Sequence, residues 1–429
     1  MINFIYVTLK KYLIFIFGLS AGVLFIVFPM VLDLLYIKNN ILIMMAMYGL
    51  LLSFSSKYFI NKDLFIISLF MITCGMFFTF YGLLAASPGW SKQGQLYIFW
   101  PLVFTFLMPL FSKKDIWRFI NIIFLISTIL IFIFSLYLIF LELNIISDLG
   151  LNTLLPNLKT GITLNEEGIE LGWPGFNSLP FLIPFIFCFY VLRNSFSSSF
   201  KVNSSLVNIA VLCLLITVFL SGRRALILIL LITPLLLIFL CYFLPASRSK
   251  KIIKNLFILF LIPMPLVLAL LIYYQVDLLL IVNSFIEGFQ FSDDTNISAN
   301  RKQIQLYALL EGWSEVPLLG GGLGSHVTYI RSWDMPWSYE IYFLALLYQV
   351  GFLGFTIYLI GILWIFLESI KIIRLNNDYS LQIICLLCGM LGSLIASFTN
   401  PYLVRFDGLW VIFIPAAFIN YYLTSVKSN

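Results

Sequence analysis

The 429 residues are 62% hydrophobic and only 10% charged, with a mean hydropathy of +1.04, whereas an ordinary soluble domain carries about 25% charge. A water-soluble fold cannot hide that much apolar surface, so one membrane domain over 1–429 with extramembrane insertions is expected. The formal net charge of +6 says nothing of nucleic acid, because cations in such a chain mostly set membrane orientation.

A membrane-spanning helix needs about 20 apolar residues. In chain order the candidates are 13–36, 41–60, 64–86, 95–111, 116–141, 176–194, 205–220, 225–244, 252–273, 338–367, 380–399 and 407–424, of which 95–111 and 205–220 are short. These predict an all-α polytopic integral membrane protein with about twelve transmembrane helices. The first stretch follows Lys10 and Lys11; it is too long for a signal peptide and lacks a small-residue cleavage site, so it reads as a retained helix. Two long loops interrupt the spans, 142–175 and 274–337. The second carries the one run dominated by polar residues, from Phe291 to Asn300.

Positive charge orients the chain. With twelve spans and a cytoplasmic N-terminus, 16 of the 25 cations and only four of the 19 acids fall inside, leaving −6 outside. Both termini and Ser247–Lys254 are then cytoplasmic, and both long loops lie on the outer face. All six cysteines sit in apolar segments; Cys385 and Cys388 form a C-x-x-C, but with no histidine nearby it reads as packing rather than redox or zinc chemistry.

Within the second loop, Asn300–Val316 reads as a helix on the outer membrane surface, with Ser298 and Asn300 as capping candidates and Pro317 as its stop. Leu306, Leu310 and Trp313 form one stripe; Arg301, Gln305, Ala308 and Gly312 form another. Pro317-Leu-Leu-Gly-Gly-Gly-Leu-Gly324 then breaks regular structure. Its glycines, Gly320, Gly322 and Gly324 among them, match neither phosphate-loop motif, and a turn admitting a substrate or a neighbouring loop is the plainer reading.

Arginine is enriched outside: five Arg and four Lys there, against four Arg and twelve Lys inside. Arginine grips planar anions through two parallel hydrogen bonds, so Arg223, Arg224, Arg301, Arg331 and Arg405 are candidate phosphate or diphosphate ligands. Small-number chance and pairing with outer acids compete; Asp334 and Asp407 are close enough in sequence to partner Arg331 and Arg405. Arg223 and Arg224 lie between two apolar segments, where charge is costly and usually functional, although snorkelling at a turn also accounts for them. His326 is the single histidine, either a satisfied loop residue or a catalyst. Asp293 and Asp294 are adjacent rather than spaced, and no metal and no cofactor are expected. Glu340, in Trp337-Ser-Tyr-Glu-Ile-Tyr-Phe-Leu344, either favours a helix start electrostatically or serves as a general base. Trp333, Trp337, Tyr339 and Tyr342 are nearby rings on which a sugar can stack.

The stretch 220–401 resembles the bacterial O-antigen polymerase and ligase superfamily. The resemblance rests on Ser221-Gly-Arg-Arg224, Arg301 with Gly312, the Pro317–Gly324 run, Glu340-x-x-x-Leu344, Gly351-Phe-Leu-Gly354 and Asn400-Pro401, with Asn177-Ser-Leu-Pro180 earlier in the chain. Similar ligases carry a His where this chain has Tyr339-Glu340, which favours polymerase. The resemblance implies an inverting, metal-independent glycosyltransferase of the bacterial inner membrane, joining undecaprenyl-diphosphate-linked oligosaccharide repeats at the periplasmic face. Glu340 would be the base, the arginines the diphosphate ligands, and Gly312, Gly320, Gly322, Gly324, His326 and Tyr339 the substrate loop. Membrane lipids are a further partner, and a chain-length regulator protein is left open. The rival readings are an O-antigen ligase and a transporter or flippase of lipid-linked sugars.

Overall fold

The computed structural model describes residues 18, 20–29, 31, 34–54, 60–147, 150, 161–165, 168–196, 200–261 and 297–426. Residues 13–17, 19, 30, 32 and 33 of the first expected span, 55–59 of the second, most of the ninth, parts of both long loops, Asp293-Asp294 and the cations Lys10, Lys11, Lys57, Lys159 and Lys427 lie outside the described residues.

The helices are α1 (Leu35–Ser53), α2 (Lys62–Leu84), α3 (Trp90–Phe111), α4 (Lys114–Glu142), α5 (Pro174–Ser195), α6 (Ser204–Leu220), α7 (Arg224–Cys241), α8 (Ala246–Leu261), α9 (Ile297–Glu315), α10 (Tyr342–Arg374), α11 (Asp378–Ala396) and α12 (Trp410–Val426). Among the described residues, eight (α1–α5, α7, α10 and α11) are long and apolar enough to cross a membrane, and α6 and α12 are shorter apolar helices. This defines the chain coarsely as a polytopic helical membrane protein. The surface agrees. Along α2, Phe65, Ile66, Leu69, Phe70, Met76, Phe77, Phe80 and Leu84 are all exposed. In water such a face would aggregate; in lipid it is the natural outer face of a helix whose backbone is internally satisfied.

The centre of the bundle is α5 against α11. Both are apolar on nearly all sides and buried almost throughout, as a helix without a polar face must be. α4 joins them through Asn121 and Gln382, whose amides exchange hydrogen bonds of 3.0 and 2.8 Å in the dry interior. Phe124 of α4 packs edge-on against Phe185 of α5 and is tilted on Trp410 of α12. A second buried polar link joins α1 to the segment before α12: Lys38 Nζ lies 2.9 Å from Asp407 Oδ2 and also donates to the Phe28 carbonyl.

Among the described residues the exception to helix is a hairpin in the first long loop, Gly161–Asn165 (β1) paired antiparallel with Gly168–Gly172 (β2). Its register sets Ile162 opposite Leu171 and Leu164 opposite Ile169.

Two of the boundaries that differ from the sequence reading bear on the site. α9 begins at Ile297, so Ser298 and Asn300, the capping candidates, are both inside the helix. α10 begins at Tyr342, with Ile341 at its N-cap, so Glu340 precedes the helix instead of occupying its first turn.

Candidate functional site

The site is built from the segment between α9 and α10. The glycine run fixes it to the bundle. Gly322 has φ +87°, and a Cβ there would lie 2.5 Å from the Gly82 Cα on α2. Gly320, at φ +69°, meets Gly351, at φ +63°, where the helical geometry of α10 is interrupted. Only glycine accepts such angles with backbone so close. The close approach is to the backbone of neighbouring helices, where the sequence reading left a substrate or a neighbouring loop as the alternatives. The amide of Leu323 donates to the Phe78 carbonyl (3.0 Å), that of Gly321 to Tyr348 (2.9 Å), and that of Gly89 to Gly324 (3.1 Å). Gln349, buried just before the α10 interruption, donates to the carbonyls of Ser325 (3.3 Å) and Trp337 (3.1 Å) and so staples both ends of the segment.

α9 lies against this assembly through Gln305, Leu309 and Gly312, with Gly312 beneath Val327 and Tyr348. The stripe headed by Arg301 is thus the packed one, and Leu310 is left exposed. Tyr339, expected at the substrate surface, is instead buried at 1% exposure. Its hydroxyl accepts from the Val327 amide (3.0 Å) and donates to the Tyr329 carbonyl (3.1 Å). Burial pushes its hydroxyl up to about 12, so it remains a neutral donor. Tyr342 is also buried, hydroxyl to hydroxyl with Tyr97 at 2.8 Å, while Trp337 covers Gly89. Of the four expected stacking rings, Trp333 stays open to solvent.

Glu340 is held from behind and engaged in front. Its amide donates to Oε1 of the fully buried Gln305 (2.9 Å), whose Nε2 donates to the Arg301 carbonyl (3.2 Å). Its carboxylate, half-buried, accepts from Arg331 Nε at 3.2 Å through one oxygen and faces Lys302 Nζ at 3.8 Å through the other. Arg331 therefore pairs with Glu340 and not with Asp334, a link nine residues long where sequence proximity pointed to a nearer acid. Lys302 and Gln305 are site residues that sequence reasoning missed; the available signal was their place beside Arg301 on one helix. The Arg301 side chain is exposed next to Lys302. His326 is exposed on the same segment, its Nδ1 3.0 Å from the Val327 carbonyl.

The other arginines form a second group. Arg223 lies over the Phe176 ring at 5.4 Å and near enough to the Tyr402 hydroxyl to act on it electrostatically. Burial raises that hydroxyl above its ordinary range, and the guanidinium partly opposes the shift. Arg224 opens α7. Arg405 lies near enough to the buried Lys38–Asp407 pair to act on Lys38 electrostatically. Asp407 is thus committed to Lys38, a partner 369 residues away. One ring contact joins the elements that carry the two groups: Phe343, three residues after Glu340, packs on Phe398 (centroids 4.7 Å apart), at the start of the loop that carries Tyr402 and Arg405.

No protein-family model, curated protein or solved structure matches this chain.

Proposed function

We propose that this chain is a membrane glycosyltransferase of the O-antigen polymerase type, acting on undecaprenyl-diphosphate-linked oligosaccharide repeats at the periplasmic face of the bacterial inner membrane. The observation that carries the reading is Glu340: a half-exposed carboxylate on a rigid backbone, flanked by Arg331 and Lys302, at the entrance to an apolar helix. One carboxylate and several cations are what the transfer requires. The acceptor hydroxyl oxygen attacks the anomeric carbon of the donor glycan while the bond to the lipid diphosphate breaks, with inversion. The hydroxyl proton passes to Glu340, and the departing diphosphate keeps the bonding electrons. That leaving group needs charge neutralisation rather than a proton, which fixed guanidinium and ammonium groups supply. The lysine bias of the sequence supports an outer-face position for Glu340 and the arginines, where lipid-linked repeats would await polymerisation.

The test is Glu340→Gln, nearly isosteric but unable to take a proton. The expected outcome is a well-expressed, inserted protein with polymer formation reduced by about 10²-fold or more, the typical contribution of a general base. Lipopolysaccharide gels should then show single repeats on the lipid core. Polymer of ordinary length would overturn the base assignment, and loss of every repeat from the core would favour the ligase reading instead.

A further inference from the structure

The carboxylate that is to act as a base is, in this structure, occupied. Arg331 Nε meets one oxygen at 3.2 Å and Lys302 Nζ faces the other at 3.8 Å, the latter beyond hydrogen-bond length. A carboxylate offers a single negative charge to two cations, one of which it meets only at 3.8 Å. Everything behind it is fixed: the Glu340 amide by buried Gln305, and the neighbouring Tyr339 hydroxyl by Val327 and Tyr329. What can move is the side chain at the solvent edge.

We propose that Lys302 and Arg331 form a diphosphate seat, that Glu340 fills it in the unliganded protein, and that an arriving diphosphate displaces the carboxylate. A diphosphate carries more charge and more acceptor oxygens than a carboxylate, so it satisfies Lys302 as well as Arg331. Displacement frees the Glu340 carboxylate from both cations when a donor is bound. The freed carboxylate then takes the proton of the acceptor hydroxyl; this last step rests on the polymerase reading, while the seat does not.

The experiment is calorimetric titration of the full chain in phosphatidylcholine nanodiscs with inorganic pyrophosphate, farnesyl diphosphate and inorganic phosphate. Lys302→Met and Arg331→Gln should each weaken pyrophosphate about tenfold or more, with unaltered thermal unfolding midpoints. Glu340→Gln and Glu340→Ala should both tighten it, about tenfold, the scale of removing a competitor held by two half-exposed ion pairs. Pyrophosphate bound no tighter by either Glu340 variant would overturn the displacement, and unaltered binding by Lys302→Met would overturn the seat. Farnesyl diphosphate binding more tightly than pyrophosphate supports a lipid-linked ligand; the reverse order, or phosphate binding as well as pyrophosphate, would overturn it. If Glu340→Gln tightens pyrophosphate and yet polymerises, the seat stands and the base assignment falls.

Discussion

Replacing Lys38 with Met should destabilise the protein sharply, and replacing Asp407 as well should recover most of the loss. Both side chains are essentially inaccessible, at 0% and 1%, and their charged atoms are 2.9 Å apart. At an effective dielectric of about 20, that separation corresponds to ~6 kcal/mol of attraction, which is largely offset by the desolvation of the two ions. Removing one partner strands the other, at a typical cost of about 3–5 kcal/mol. The lower end, ~3 kcal/mol, is expected for Lys38→Met, because Arg405 remains within electrostatic reach. Lys38→Met with Asp407→Leu removes both charges and should return to within about 1 kcal/mol of the parent. The assay is thermal unfolding of the detergent-purified chain. A single variant as stable as the double would refute this account, since it would mean that Asp407 bears no cost when left alone.

Three further outcomes rest on local geometry. Gly322→Ala places a Cβ at φ +87° and 2.5 Å from the Gly82 Cα, so a loss of ~2 kcal/mol or more is expected in the same unfolding assay. Tyr339→Phe leaves the Val327 amide without its acceptor and should cost about 1–3 kcal/mol. Because the Tyr339 hydroxyl is raised to about 12, its contribution is present below the ordinary tyrosine value near ~10 and fades as pH climbs from there. Alkaline unfolding of the parent should therefore contain a component that Tyr339→Phe lacks. Gln382→Leu strands the Asn121 amide in the bundle core at ~0.6–2 kcal/mol, and adding Asn121→Leu should restore stability.

Much of the bundle is legible in the sequence because apolar runs, Pro and Gly are local signals. The eight long apolar helices follow from run length, and the glycine run signals a close approach without saying to what. The pairings are not legible. Lys38 with Asp407 and Gln305 with Glu340 join residues 369 and 35 apart in the chain, and nothing local encodes such distances. The pairing of Arg331 with Asp334 fails for the same reason: proximity in sequence is a poor guide where a turn can bring a guanidinium to a carboxylate nine residues on. Gly351 sits in a run that reads as uninterrupted helix, and its break is imposed from outside by Gly320 and Leu318. The hairpin, by contrast, has a local signature. Gly161-Ile-Thr-Leu-Asn165 and Gly168-Ile-Glu-Leu-Gly172 alternate apolar and other residues over two short runs separated by two residues, but in so apolar a chain the length of the runs drowns the period of two.

The two ion-pair groups make opposite uses of the same interaction. In the interior, Lys38 and Asp407 are both buried, so a ligand cannot compete for either, and separating them strands a charge. Their effect is to hold the segment bearing Tyr402 and Arg405 against α1. At the rim, Glu340 with Arg331 and Lys302 is half-exposed, where each pair is worth ~1 kcal/mol or less. A bond that weak contributes little to the fold, yet its partners are positioned by buried groups, Gln305 and Tyr339, that contribute a good deal. Rigid support beneath a labile contact is the arrangement expected where a protein must give up its own interaction to a ligand. That asymmetry is what favours Glu340 with Arg331 and Lys302, rather than the buried pair, as the proposed reactive group.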